Sequence, residues 1–417
     1  MKIILPQVII TDPKSPYNGQ KMDIRINNGE IKEISSSIKN KQDYDLIEFS
    51  RGRWISPGWV DIRSRSGEPG NEQRETYHSL SKAAANGGYT HIGIQPSTYP
   101  ARDSKTHIES ILQSTKNLDV SFLPLGALSK ELKGKKLCEI YDMNLSGAVG
   151  FSDDQNDIEN PHLLQLALQY SKDLNTVIHT FCFEKRLSPK GQVNEGNISL
   201  TNGLAPISSI SETTRIKRDL SIHEYSGGRM HIAGVSTSEG VDLIRRAKKN
   251  QIGLTADVCI LNLIGIDDDL VEFDTSLKTL PPLRSKSDQK SLWDGLMDGT
   301  IDIIASDHNP MDIESKRCEF GKAEFGTATI ENSFGWYRAK KANQRALDRW
   351  VEAVAHNPRK LFNLNDVSID IGNYADLTIF ANDGSLIEKK TLGVNVPNWN
   401  QNGRAIGIIN NKKIIQL

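Results

Sequence analysis

Apolar positions change rhythm twice along the chain. Residues 1 to 54 follow the two-residue period of half-buried strands: IILPQVII, then MDIRINNGEIKEI with a turn signal at Asn27-Asn28-Gly29, then DLIEF. Residues 365 to 417 read the same way, with ADLTIF at 375–380 and a closing AIGIINNKKIIQL in which Asn410-Asn411 marks a turn. Between these ends, short and nearly continuous apolar runs alternate with longer amphipathic stretches. The runs are WISPGWVDI, HIGIQPS, VSFLPLGA, GAVGFSDD, TVIHTF, RMHIAGVST, IGLTADV and DIIASDH, and ETYHSLSKAAANGG, HIESILQSTKN, HLLQLALQYSKDL and SEGVDLIRRAKKN are among the stretches that separate them. Strands covered on both faces need apolar residues at nearly every position, so the alternation predicts a parallel sheet with crossover helices. The expected fold is α/β: a (β/α)8 TIM-type barrel over 55–364, with a small β-sandwich domain built from 1–54 and 365–417. Functional residues then belong at the C-terminal ends of the barrel strands.

Composition narrows the partners. The chain has 417 residues, with 51 Lys+Arg against 52 Asp+Glu, so no net field favours nucleic acid or an anionic membrane. Cys138, Cys182, Cys259 and Cys318 form no CxxC pair and no dense disulfide framework, which fits a reducing cytoplasm. The opening MKIILPQVII is interrupted by Pro6 and followed by Asp12 and Lys14, and lacks signal-peptide anatomy. No apolar run approaches the ~20 residues of a membrane helix. No GxxxxGKS or GxGxxG element follows a strand, so nucleotide use has no support.

The strand ends carry Asp61-Ile62-Arg63-Ser64-Arg65, Gln95-Pro96-Ser97-Thr98, Ser152-Asp153-Asp154, His179, Gly234-Val235-Ser236-Thr237 and Ser306-Asp307-His308. Around them run PGWVDI…EPG, GAVGFSDD, HIAGVST, TADV, KTLPPLRS, LWDGLMDGTIDIIASDH, FGTATIEN and HNPRKLFNL. In these motifs and their order, over essentially the whole length, the chain resembles the dihydroorotases of the amidohydrolase superfamily. Within them it is similar to the class that associates with aspartate transcarbamoylase, and most of all to that class's inactive members. The resemblance implies a two-zinc barrel in which a metal-bound hydroxide, available because zinc lowers the pKa of bound water to about 7, opens a cyclic amide in pyrimidine synthesis.

The ligands implied by the resemblance are largely replaced. Its His-x-His pair after the first strand is Arg63 and Arg65 here, and the histidine of its HIAHVST segment is Gly234. His231, three residues earlier, is expected by strand alternation to face the opposite way. Asp153 or its neighbour Asp154, His179 and Asp307 remain as retained metal positions, with Asp307 also the acid/base candidate if the protein is active. Lysine is absent from 147 to 155, so no carbamylated lysine could bridge metals. The substrate positions are altered too: Gly67 stands for an arginine, Ser97 and Leu280 for asparagines, and Met311 for a lid histidine.

Three of these residues could still bind one catalytic zinc, which needs three protein ligands and a water. Two guanidiniums about 5 Å from a divalent ion would oppose this by on the order of 13 kcal/mol at an effective dielectric of ~20. The sharper expectation is that Arg63 and Arg65, two apart and so on one strand face, occupy the metal space and pair with Asp153 and Asp307. Bland alternatives stand beside it: solvated arginines, a core hydrogen-bonded His179, an Asp307 in a structural ion pair, and a structural His308. The sequence leaves three functions in view. One is a noncatalytic dihydroorotase-like protein, without cofactor, that supports or assembles with aspartate transcarbamoylase or self-associates. The second is an active dihydroorotase or cyclic amide hydrolase using one Zn2+. The third is a structural paralogue of the dihydropyrimidinase-like kind.

Overall fold

The computed structural model describes residues 1–49, 53–270, 272–381, 390–393 and 396–417. Strands β1 (Lys2–Ile10), β2 (Lys21–Asn27), β3 (Glu30–Ser35), β4 (Asp45–Leu46) and β5 (Trp54–Pro57) open the chain. The barrel follows, with β6 (Trp59–Ser64), β7 (Tyr89–Ile94), β8 (Ser121–Ala127), β9 (Gly150–Ser152) and β10 (Ile178–Phe181). A short pair, β11 (Val193–Asn194) and β12 (Pro206–Ile207), precedes β13 (Met230–Ala233), β14 (Leu254–Cys259) and β15 (Ile303–Ala305). Strands β16 (Leu377–Ala381), β17 (Arg404–Asn410) and β18 (Lys413–Gln416) end it.

The barrel strands lie parallel in the order β15-β14-β13-β10-β9-β8-β7-β6, and a parallel bridge between Ser64 and His308 nearly closes the ring. Crossover helices such as Tyr77–Asn86, Lys105–Thr115, Pro161–Leu174 and Ser238–Ala247 occupy the amphipathic stretches expected to be helical. Strands from both ends of the chain build one β-rich domain, ordered β18-β17-β16-β5-β1-β2-β3, with β4 on the first half of β1 and β5 on its second half. Among the described residues no helix is long and apolar enough to cross a membrane.

The run WISPGWVDI reads as one apolar segment, but Gly58 divides it between the two domains. Trp54–Pro57 pairs antiparallel with β16, whereas Trp59–Ser64 enters the barrel. The chain changes sheets where a Cβ at Gly58 would lie 2.0 Å from Asp376 Oδ1 and 2.4 Å from Thr90 Oγ1, so the crossing needs a residue without a side chain.

Two features fix the domains to one another. Trp59 packs at ring-centroid distances of 4.9, 5.3 and 5.6 Å from Phe334, Trp350 and Phe380, joining the barrel, its last helices and β16. Beside this cluster the buried Arg359 pairs with Asp376 at 2.5 Å and donates to the Gly58 and Ala355 carbonyls. At the base of the barrel Ile62, Leu125, Val177, Ile303 and Ala305 pack with Leu361 and Phe362, giving the polar residues above them a dry floor.

Replacing Arg359 with methionine leaves the Asp376 carboxylate buried beside His91, 3.5 Å away, and Thr90. Losing one partner of such a pair costs about 3–5 kcal/mol. Urea unfolding of Arg359→Met is expected to show that loss, and a change below about 1 kcal/mol would mean that the pair does not join the domains.

Candidate functional site

Strand β6 delivers Arg63 and Arg65 to the barrel mouth. Its pairing with β7 is irregular between Asp61 and Ser64. Here the buried Asp61 carboxylate accepts from Ser64 Oγ at 2.5 Å, from Ser306 N at 2.7 Å and from Ser306 Oγ at 2.8 Å. These bonds and Arg65 N to His308 O at 2.8 Å tie the end of β6 to the segment after β15. Asp307 therefore stands beside both arginines.

All three side-chain nitrogens of Arg65 are engaged. Its Nε and Nη2 donate to the two oxygens of Asp154 at 2.7 and 2.5 Å, a fork geometry that matches a planar carboxylate, and its Nη1 reaches Asp307 Oδ1 at 2.8 Å. Ser97 Oγ adds a bond of 2.5 Å to Asp154. Arg63 lies deeper, with Nε 3.2 Å from Asp307 Oδ1, Nη2 3.4 Å from Asp257 Oδ1 and Nη2 donating to Cys259 Sγ at 2.6 Å. Both side chains are buried. Burial alone would lower the arginine pKa values, yet Asp257 and Asp307 for Arg63, and Asp154 and Asp307 for Arg65, raise them above the usual value. Burial likewise pushes Asp154 and Asp257 upward, but Arg65 holds Asp154, and Arg63 with His231 holds Asp257, below the usual carboxylate range.

The expected pairing with Asp153 is corrected to its neighbour. Asp153 turns away, accepting from the backbone N–H and hydroxyl of Ser129, and burial pushes its pKa up to about 6 against those bonds. Asp154 has φ 54°, so simple alternation does not extend past the end of β9. His231 also departs from expectation. It sits opposite His179 in the β10–β13 register, 4.8 Å from it between ring centroids, and its Nε2 lies 3.0 Å from Asp257 Oδ2. Alternation fails as a guide because the strand ends at Ala233 and Gly234, at φ 68°, leaves the two-residue period.

His179 is buried over Phe362, 5.9 Å between ring centroids, with Nε2 unpartnered among the described residues. Burial, then its neighbour His231, holds it well below the usual histidine value, so it is neutral. His308 Nδ1 accepts from the Thr329 and Ile330 N–H groups, leaving Nε2 to face Glu75 at 3.3 Å. Asp257 and Cys259 enter the site without having been singled out in the sequence. The signal for Asp257 was a carboxylate within the apolar run IGLTADV, which needs a buried counter-charge.

Gly234 and Arg63 fit one another. A Cβ on Gly234 would lie 2.9 Å from Arg63 Nη2, so the guanidinium occupies the room that a side chain there would need. At Gly67 a Cβ would fall 1.8 Å from the Asn71 carbonyl oxygen. Gly67, Ser97, Leu280 and Met311 do come together: with Arg65, Arg74, Asp154, Lys185 and Glu324 they line a mouth cavity of about 420 Å³. Asp153, His179 and Asp307 do not converge, and among the described residues no three His, Cys, Asp or Glu side chains are grouped as a metal would require. Both oxygens of Asp154 are already taken by a guanidinium. The donor set does not fit a zinc ion.

A family model described as "Dihydro-orotase-like" matches residues 52–240. The chain is 35% identical over 407 residues to the "Dihydroorotase" of Syntrophus aciditrophicus, covering 97% of this chain and 94% of that one. It is also 35% identical over 373 residues to the "Dihydroorotase" of Acetivibrio thermocellus, covering 89% and 87%. The chain belongs to the dihydroorotase-like family of the amidohydrolase superfamily. The fold matches the L-hydantoinase (dihydropyrimidinase) of Arthrobacter aurescens with a TM-score of 0.83 at 22% identity, over 99% of this chain and 96% of that one.

In Arg65→Met the Asp154 and Asp307 carboxylates lose their closest cation. Unfolding free energy at pH 7 is expected to fall by about 3–5 kcal/mol. The depressed pKa of Asp154 stabilises the wild type above the unfolded carboxylate value, and this is lost as pH falls through the folded value. In the variant the orphaned carboxylate instead takes up a proton as pH falls. Urea titrations of both proteins should show the gap narrowing from pH 7 towards pH 4, and a gap constant with pH would show that Arg65 contributes only packing.

Proposed function

We propose that this chain is a catalytically inactive dihydroorotase-like protein of pyrimidine biosynthesis whose role is to support or assemble with aspartate transcarbamoylase. The observation that carries the reading is the position of the two guanidiniums. Arg65 binds Asp154 and Asp307, and Arg63 binds Asp307 and Asp257, so two of the retained acids, Asp154 and Asp307, are neutralised by cations of the chain itself. Without a metal, no group among the described residues lining the mouth cavity lowers the pKa of a water towards neutrality. The cavity has also lost the arginine, two asparagines and histidine that the family uses to recognise its substrate. A fold kept whole around a centre held by internal ion pairs suits a supporting subunit better than an enzyme.

The test combines metal analysis, a dihydroorotate hydrolysis assay and co-purification from the source cells. The expected result is zinc far below one equivalent, no turnover above background, and recovery of aspartate transcarbamoylase whose assembly fails when this chain is absent. Stoichiometric zinc with turnover would overturn the inactive reading. Normal transcarbamoylase assembly without this chain would overturn the supporting role.

A further inference from the structure

One wall of the mouth cavity is formed by segments 273–281 and 309–327, which contribute Leu280, Pro310, Met311, Glu324 and Phe325. On their other side Thr275, Ser276 and Lys316 line a second cavity of about 540 Å³. Two buried ammonium groups hold the segments to one another. Lys278 Nζ donates to the Phe320 and Gly321 carbonyls at 2.6 and 3.3 Å and lies 5.2 Å from the Phe320 and Phe325 ring centroids. Lys316 Nζ donates to the Thr275 carbonyl at 2.7 Å and the Glu324 carbonyl at 2.8 Å. The residues are 3% and 1% exposed. Two further bonds reinforce the join, one between backbones from Gly326 N to Lys278 O at 3.0 Å and one from the Thr275 hydroxyl to Lys316 O at 2.9 Å.

We infer that the two segments form one gate over the mouth cavity, latched by Lys278 and Lys316 and tightened in alkaline solution. Carbonyl oxygens and ring faces repay only part of the cost of removing an ammonium from water. Burial, with Lys278 adding to it, pushes Lys316 down to about 8, while Asp274, Cys318 and Glu324 pull the other way. Burial also lowers Lys278, opposed by Glu324 and Cys318. Opening the gate returns Lys316 to water and towards the ordinary lysine value of about 10.4. The open form therefore holds its proton more tightly, and withdrawing protons favours closure. A neutral amine keeps two N–H donors, enough for the two carbonyls that Lys316 binds. Between pH 7 and pH 9 this linkage raises the ratio of closed to open by roughly tenfold.

Hydrogen–deuterium exchange of the whole protein, corrected for the base-catalysed chemical rate and referenced to β1 and β2, tests the gate. Protection of 273–281 and 309–327 should rise together by roughly tenfold from pH 7 to pH 9. Lys316→Met should abolish most of that rise, and Lys278→Met should move it to higher pH by removing the neighbouring cation. If Lys316→Met does not fold, the wild-type profile and Lys278→Met decide. Flat or falling protection, independent behaviour of the two segments, or an undiminished rise in Lys316→Met would overturn the inference.

Discussion

A guanidinium shared between two carboxylates organises the mouth of this barrel. Arg65 grips Asp154 with two parallel hydrogen bonds and reaches Asp307 with a third, bringing the ends of β6, β9 and β15 together. Such a group is worth little as a source of net stability, since removing charges from water cancels most of their attraction. Its consequence is constraint. Once the cation is buried each acid must stay ionised and oriented, and Arg63, Asp257 and His231 carry the chain of contacts inward to His179. In a metal-dependent relative a divalent ion would balance the acids; here the balance is internal to the chain.

This charge balance also accounts for the company the arginines keep. A side chain at Gly234 would crowd the Arg63 guanidinium and sit at a left-handed φ of 68°, and Ser97 adds a hydrogen bond to Asp154. Gly234 and Ser97 thus belong to the same connected group as the two arginines. The gate inferred for segments 273–281 and 309–327 is independent of it, since Lys278 and Lys316 are held by carbonyls and not by these acids.

The fold was largely legible because buried parallel strands and amphipathic helices leave periodic signatures, and the eight barrel strands lie within the apolar runs that predict them, give or take a few residues at their ends. The division of WISPGWVDI at Gly58 was not, since a change of sheet depends on close approach by Asp376 and Thr90 from distant parts of the chain. In the site, residue types were readable and directions were not. Asp154, Gly234 and Asp307 all have positive φ, so the two-residue period stops at the strand ends, where the chemistry is concentrated. That is why Asp154 takes the place expected of Asp153, and why His231 lies beside His179 when alternation turns it away.

The central claim is that guanidinium groups occupy the space between Asp154 and Asp307 and leave no coordination for a metal. Anomalous diffraction at the zinc edge, from crystals grown with excess zinc, tests this directly. The expected result is Arg63 and Arg65 in continuous density against the carboxylates and no anomalous peak at the mouth. A full-occupancy zinc peak between Asp154 and Asp307, with the arginines displaced towards solvent, would contradict it.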